Sequence, residues 1–466
     1  MTILDKEQQE ACKEIYYDSL IIAGAGSGKT TTLIGKITYL IENKYAKENE
    51  ILVLSFTNAT VNDFKRKCKY NIEVSTFHKE ALKYNIYNSD IISEEILENT
   101  IINIYQSANN KIKKYIYKYN YGNFKKYNIE KYNKSISENN SSSILNMSKN
   151  FLKYIKSNNI DLKKIKIGKL NKKEILMIAI FEKIIEVYSK TLKDNNFQDF
   201  DDIIINATNN IYSKNYKYIF VDEFQDISKI RLDFLKKLLE INKATLTAVG
   251  DDWQSIYGFS GSNIELFYNF KKYFKNAKIY KLKKTYRCPN DIIRKSTKFI
   301  LKNKLQIPKM ITSTNISTKN NIKKMYTNNE IKALYKLIDK YGNTEKEIYI
   351  LSRNTYDINK YISNIFNLKD NQIIYKKELK KNIKFLTIHS SKGLEADIII
   401  IINLKNTIDG IPTKKENKLL KKIIVNKEPI NYAEERRLFY VALTRAKEKV
   451  YLIIDSKNES KFIKEI

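Results

Sequence analysis

The run Ala23 to Thr30, AGAGSGKT, constrains this chain more than any other stretch. It follows a short apolar strand pattern, Leu20 to Ile22, and opens a helical pattern through Leu33, Ile37 and Leu40. Three of the chain's twelve glycines, Gly24, Gly26 and Gly28, fall within five residues there. Glycines let successive backbone N–H groups curl round phosphate oxygens, and the helix N-terminus behind them adds positive potential. The strand, loop and helix together make the context of a phosphate-binding loop. Lys29 would reach the β- and γ-phosphates of a nucleotide and Thr30 would hold Mg2+. Ala23 stands where the usual first glycine would be.

Such a loop needs an acid-bearing strand beside it. Tyr218 to Val221 is an apolar β-type run that ends in Asp222 and Glu223, within VDEFQD. An acid at the C-terminal edge of a strand can sit beside Mg2+, the role read for Asp222. Its neighbour Glu223 can orient and deprotonate an attacking water. A third strand, Thr245 to Val249, runs into GDDWQSIYGFSG, which holds the chain's only tryptophan, Trp253. Gln254 can hydrogen-bond a γ-phosphate oxygen, and Tyr257 and Phe259 can stack on unpaired bases or simply close the end of a sheet.

Composition narrows the class. At 466 residues the prior is two to four domains, each with its own core. No apolar run approaches the roughly 18 residues of a membrane helix, and Met1 to Glu10 carries no apolar signal segment. Three cysteines, Cys12, Cys68 and Cys288, are too few for a disulfide scaffold or a zinc site, so a reducing, cytoplasmic setting is expected. The net charge of +32 is open to two readings, a nucleic-acid footprint or codon drift toward lysine on solvated faces. Against that background only eight basic residues are arginine, which hints at places where a planar fork is needed.

The blocks together resemble the UvrD/Rep family of superfamily 1 helicases, with the wording of GDDWQ and HSSKGLEAD (His389 to Asp397) most like its helicase IV branch. Further blocks follow in the family's order. LDKEQQEA from Leu4 resembles the Q motif, SFTNAT from Ser55 motif Ia, and STFH from Ser75 motif Ib. QDFDDII from Gln198 matches the segment ahead of the acid-bearing strand. TYRCPNDI from Thr285 resembles motif IV, TIHSSKGLEAD motif V, and EERRLFYVALTRAK from Glu434 motif VI. The resemblance implies two tandem RecA-like P-loop domains with parallel sheets, an α/β fold with a helical 1B insertion in the first. It implies ATP held by Gln8, by the loop Ala23, Gly24, Ala25, Gly26, Ser27, Gly28, Lys29, Thr30 and Thr31, and by Tyr286 and Glu395. Arg287 and Arg445 would reach across a cleft to the γ-phosphate as arginine fingers, whereas a structural salt bridge is the preferred reading for Arg436 and Arg437. The DNA contacts it implies are Phe56, Thr57, His78, Trp253, Tyr257, Phe259, Arg353 and His389. Two departures bear on base selectivity and strand grip: relatives often carry arginine where Thr31, beside the adenine, and Ser260, after the second aromatic, stand here.

The expected organisation is a first ATP-binding domain from residues 1–94 plus 192–276, a helical insertion 95–191, and a second domain 277–466. Strands are expected in the second near Lys278–Leu282, Ile348–Leu351, Phe385–Ile388 and Ile398–Ile402. The short stretch between Arg353 and Phe385 leaves the family's 2B subdomain absent or vestigial, and no nuclease domain is expected after motif VI. Lys111 to Lys134 interleaves eight lysines with seven aromatics, which reads either as a stacking surface for a strand or as drift. The activity implied is ATP-driven 3′→5′ movement on single-stranded DNA or a 3′-tailed duplex. An ATP-gated nucleic-acid clamp, or a partner subunit without unwinding activity, is the alternative. A metabolic P-loop kinase leaves the second domain and its fingers without a role.

Overall fold

The computed structural model describes residues 4–87, 89–121, 130, 143–164, 171–315, 320–414, 428 and 430–466. In chain order the first strands are β1 (Ser19–Ile22), β2 (Ile51–Ser55), β3 (Glu73–Thr76), β4 (Asp90–Ile91), β5 (Phe197–Gln198), β6 (Tyr218–Val221), β7 (Thr245–Gly250) and β8 (Lys278–Lys281). Six of them build a sheet in the order β3-β2-β6-β7-β1-β8, every pair parallel, while β4 and β5 pair separately. Alternation along these strands feeds two cores at once. Leu20, Ile22, Leu52, Leu54, Ile219 and Val221 pack on one face. Ile21, Ile51, Val53, Phe220 and Val249 pack on the other. Helices therefore cover both faces, and the strands' C-terminal ends share one edge.

Lys278–Leu282 departs from the expected assignment to the second domain. β8 does not open the second sheet; it pairs with β1 from Ser19↔Lys278 to Ile22↔Lys281 and closes the first, so that sheet extends past residue 276. The physical reason is that an edge strand needs only a partner on one side, and its exposed pattern does not say which sheet supplies it. Leu282, just beyond it, is buried in the first sheet's core.

The remaining strands are β9 (Lys284–Thr285), β10 (Thr312–Ser313), β11 (Ile322–Thr327), β12 (Ile348–Ser352), β13 (Phe366–Lys369), β14 (Gln372–Tyr375), β15 (Glu378–Thr387), β16 (Ala396–Ile401) and β17 (Ala446–Asp455). β9 and β10 form a short parallel pair, and the others form a sheet in the order β11-β17-β16-β12-β15-β14-β13. From β11 to β15 this sheet is parallel; β14 and β13 extend it as antiparallel strands. The stretch between Arg353 and Phe385 thus forms a 3-10 turn, Thr355–Tyr361, and a hairpin that continues the sheet.

Between the halves of the first sheet lie the helices Glu94–Ser107, Asn110–Tyr121, Ser143–Ser157 and Lys172–Asp194. They enclose a core of their own, in which Phe151 stacks on Phe181 at 4.0 Å between centroids. The Asn158 side chain donates to Gly261 O at 3.0 Å and fastens this unit to the loop after β7. Of the Lys111–Lys134 stretch, residues 122–129 and 131–134 lie outside the described residues. Among the described residues no helix is long and apolar enough to cross a membrane. Cys12, Cys68 and Cys288 are all free.

Candidate active site

The phosphate loop is held from both sides. Ala23 N–H donates to Gly250 O at 2.9 Å, which ties the loop's start to the end of β7. Gly26 and Gly28 hold φ of +70° and +77°, the left-handed region in which a side chain is strained. A Cβ at Gly26 would lie 2.5 Å from the Arg287 Cβ and 2.8 Å from Thr285 Oγ1. Thr285 Oγ1 donates to Ala25 O at 2.7 Å and Tyr286 N–H to Gly26 O at 2.9 Å, so these carbonyls are spent on protein partners. Gln8 caps its own helix with Asp5 and donates to Ser27 O at 3.2 Å. The Tyr286 hydroxyl donates to Asp5 at 2.7 Å and leaves its ring half-exposed beside the loop. A glycine cradle that a Cβ would fill, with Lys29 and Thr30 opening a helix, fits a nucleotide's phosphates.

Asp222 and Glu223 lie two strands away at the end of β6, and Asp251 one strand away at the end of β7. Asp222 is buried, and its carboxylate accepts the Glu223 N–H at 2.8 Å. Glu223 sits at φ 51°, a conformation that costs a side-chain-bearing residue on the order of 1 kcal/mol. Its carboxylate pairs with Lys29 Nζ at 3.0 Å and accepts from the Gln225 amide. Burial drives the Asp222 carboxyl up, with Glu223 adding to it, whereas for Glu223 the effect of burial is overcome by Lys29 and Lys392, which hold it down. Burial likewise opposes the Lys29 ammonium, yet Glu223, Asp251 and Asp222 keep its pKa raised. Thr30 and Asp222 would supply a hydroxyl and a carboxylate, the hard oxygen donors that Mg2+ takes.

Bases arrive from the second sheet. Arg445 is buried; its guanidinium donates to Val441 O and Leu394 O at 3.1 Å each and, through Nη2, to Gln254 Oε1 at 2.9 Å. Burial and the neighbouring Arg287 lower its pKa to about 10. Arg287 donates to Glu395 at 2.7 Å and to Thr444 O at 3.4 Å. Lys392 pairs with Asp226 at 2.5 Å and donates to Gln254 O at 2.8 Å. Arg436 pairs with Glu465 at 2.6 Å and lies against the rings of both Phe299 and Phe462, and Arg437 donates to Ser255 O at 2.6 Å and pairs with Glu428.

The candidate strand contacts form two groups. At the ends of β2 and β3, Phe56 packs 5.2 Å from Phe77, Thr57 is exposed and caps the helix Asn58–Lys67, and His78 meets Phe200 edge-on at 5.2 Å. At the junction of the two sheets, the His389 ring lies 5.3 Å from Phe259 and 6.2 Å from Tyr257, whose hydroxyl donates to His389 O. Burial, then nearby cations, lowers both histidines to about 3: Arg231 and Lys153 beside His78, Arg353 and Lys392 beside His389. Arg353 donates to Glu435 at 2.9 Å. Trp253 departs from its expected role. It is 0% exposed, edge-on to Tyr440 and under Lys309, with its indole N–H donating to Ile307 O, so no ring face is left for a base.

Residues 4–275 match the UvrD/REP helicase N-terminal domain, and residues 362–457 match the UvrD-like helicase C-terminal domain. The chain belongs to the UvrD/REP helicase family. It is 28% identical to DNA helicase IV of Escherichia coli K12 over 489 residues, covering 99% of this chain and 69% of that protein. It is 31% identical to the probable DNA helicase II homolog of Mycoplasma capricolum over 374 residues, 76% of this chain and 49% of the relative. To the ATP-dependent DNA helicase Rep of Buchnera aphidicola (subsp. Schizaphis graminum) it is 29% identical over 408 residues, 82% and 56% respectively. The chain thus spans between about half and seven tenths of the length of these relatives.

For this UvrD/REP-family chain, sequence reasoning left out Lys392, Asp226, Asp251, Thr285 and Phe200. Lys392 and Asp226 sit inside blocks already singled out, but one lysine among so many carries no signal of its own. Phe200, a 56% exposed aromatic against His78, was findable as an apolar residue opening a helix among three aspartates.

Proposed function

We propose that this chain is an ATP-dependent DNA helicase or translocase that moves 3′→5′ on single-stranded DNA or a 3′-tailed duplex. Hydrolysis takes place in the cleft between its two α/β halves. The observation that carries this reading is the meeting of Arg445 with Gln254 and of Lys392 with Asp226, bases of one half on the phosphate-facing loops of the other. Lys29, Arg287 and Arg445 bind the β- and γ-phosphates, and Thr30 and Asp222 hold Mg2+. The metal supplies charge neutralisation on the phosphate oxygens. Lys29 and Glu223 neutralise each other in the free protein; a phosphate drawn onto Lys29 releases the Glu223 carboxylate to orient a water and take its proton. Gln8 and Tyr286, on one flank of the loop, hold the base.

Movement follows from the loop that carries both duties. Gln254 faces the phosphates, while Tyr257 and Phe259, a few residues on, face the strand. The same loop is fastened to the helical unit through Asn158 and to the second half through Glu434, which accepts the Gly258 N–H at 3.0 Å. Closing and reopening the cleft therefore shifts one gripping surface against another. The deciding assay is ATPase stimulation by single-stranded DNA, together with displacement of a bound protein from 3′- and 5′-tailed duplexes. Stimulation with displacement only from the 3′-tailed form is expected. Stimulation with no displacement in either direction would replace the helicase by the ATP-gated clamp.

A further inference from the structure

The segment Gln306–Lys309, between the helix Asn290–Ile300 and β10, lies against the loop that carries Gln254. Ile307 N–H donates to Asp252 Oδ2 at 2.8 Å, and Ile307 O accepts the Trp253 indole N–H at 3.1 Å. Lys309 is 5% exposed; it pairs with Asp251 Oδ1 and, at 2.6 Å, with Asp252 Oδ1, its Nζ 4.4 Å from the Trp253 ring centroid. Asp251 turns its other oxygen to the Gln254 amide, accepting Nε2–H at 2.6 Å, and Gln254 Oε1 accepts from Arg445 at 2.9 Å. Four side chains thus run in a buried line: Lys309, Asp251, Gln254, Arg445. An amide can present either end, and here charge assigns both, N–H to a carboxylate and C=O to a guanidinium.

We propose that Lys309 is a positioning residue for ATP hydrolysis. By neutralising Asp251 it keeps that carboxylate on the N–H side of Gln254 and leaves Arg445 available to phosphate. Without Lys309, Asp251 becomes a buried carboxylate short of its cation, and the next cation along the line is Arg445. The two draw together and displace the Gln254 amide between them. This inference rests on the proposed ATPase, in which Gln254 and Arg445 act on the γ-phosphate.

The test compares steady-state ATPase, with saturating single-stranded DNA, for wild type, Lys309→Met, Gln254→Ala and the double variant. Lys309→Met is expected to lower kcat on the order of 10- to 100-fold, the scale of a misplaced catalytic group, with KM for ATP nearly unchanged. The double variant is expected to be no slower than the slower single variant, because both changes remove one interaction. Lys309→Met/Asp252→Asn removes one charge of each sign and repeats the measurement if the single variant does not fold. Thermal unfolding followed by Trp253 emission establishes that each variant is folded. Full kcat in a folded variant, or effects of Lys309 and Gln254 that multiply, would overturn the proposal. If wild type hydrolyses ATP and Gln254→Ala slows it, only the Lys309 inference has failed; a wild type without ATPase removes both.

Discussion

The two sheets present the same kind of edge to the same cleft and equip it oppositely. Where β1, β6 and β7 end, the first sheet offers a glycine loop, paired acids and an amide: Gly24 to Thr30, Asp222 and Glu223, Asp251 and Gln254. Beyond β15 and ahead of β17, the second offers bases, Lys392 and Arg445, and no glycine loop of its own among the described residues. The acid Asp226 is met across the gap by Lys392, and the neutral amide of Gln254 by Arg445. On the function proposed above, neither half is a complete site. On that proposal the first would bind phosphate, and the second would complete the stabilisation of charge only when docked.

The sharpest way to break this comparison is at the fork. Arg445→Lys keeps the charge but cannot donate to Val441, Leu394 and Gln254 together. Because an arginine finger is worth roughly 10³–10⁵ in turnover, hydrolysis should fall by a large part of that range while single-strand affinity stays nearly unchanged. Parallel ATPase and DNA-anisotropy titrations check it; equal loss of both would assign Arg445 to folding. On the first edge, Glu223→Gln should bind ATP and Mg2+ normally and hydrolyse at least ~10²-fold more slowly, since it removes the base and leaves the metal ligands. Single-turnover hydrolysis beside equilibrium nucleotide binding reads both quantities. Turnover above about a tenth of wild type would contradict the role drawn for Glu223.

Between the edges lies the shared loop, and here the structure separates two aromatics that look alike in sequence. Phe259 is 39% exposed, while Tyr257 is held by His389 O and lies under Lys392. Phe259→Ala should therefore cost about 1–3 kcal/mol of single-strand affinity with basal ATPase intact, the worth of one base stack. Tyr257→Phe, which deletes only the bond to His389 O, should leave affinity nearly unchanged but weaken stimulation by DNA. Competition binding and ATPase against DNA concentration distinguish them.

The smallest expected effect concerns the two histidines, one on each region. Both sit at about 3 in the fold against an ordinary 6.5, so the neutral form is favoured on folding. That stability is fully present above pH 6.5 and is lost as pH falls toward 3, because the unfolded chain then binds the proton and the folded chain does not. At pH 5 about 2 kcal/mol of it per histidine has been lost. A His389→Asn variant should lose less stability than wild type between pH 7.5 and 5, by about that amount, in paired denaturant titrations. Identical pH sensitivity would show that the ring titrates freely.

What the sequence determined by itself is whatever is encoded by neighbours along the chain. Gly24 to Thr30 needs no partner to be recognised, because backbone N–H groups, a helix start and a lysine all come from consecutive residues. The same is true of Val221-Asp222-Glu223 and of the apolar runs that become β1, β6 and β7. The tertiary structure alone decided which side chains meet. β8 joined the first sheet because a parallel edge strand is specified by the strand it reaches, Ser19 to Ile22, more than 250 residues earlier in the chain. Trp253 turned inward because Ile307 and Tyr440, both distant in sequence, supply its acceptor and its packing. Lys392 and Lys309 were indistinguishable from other lysines until folding placed carboxylates against them. Local geometry is written in adjacent residues, whereas a buried charge is defined by its partner, and partners across a cleft leave no pattern in either segment alone.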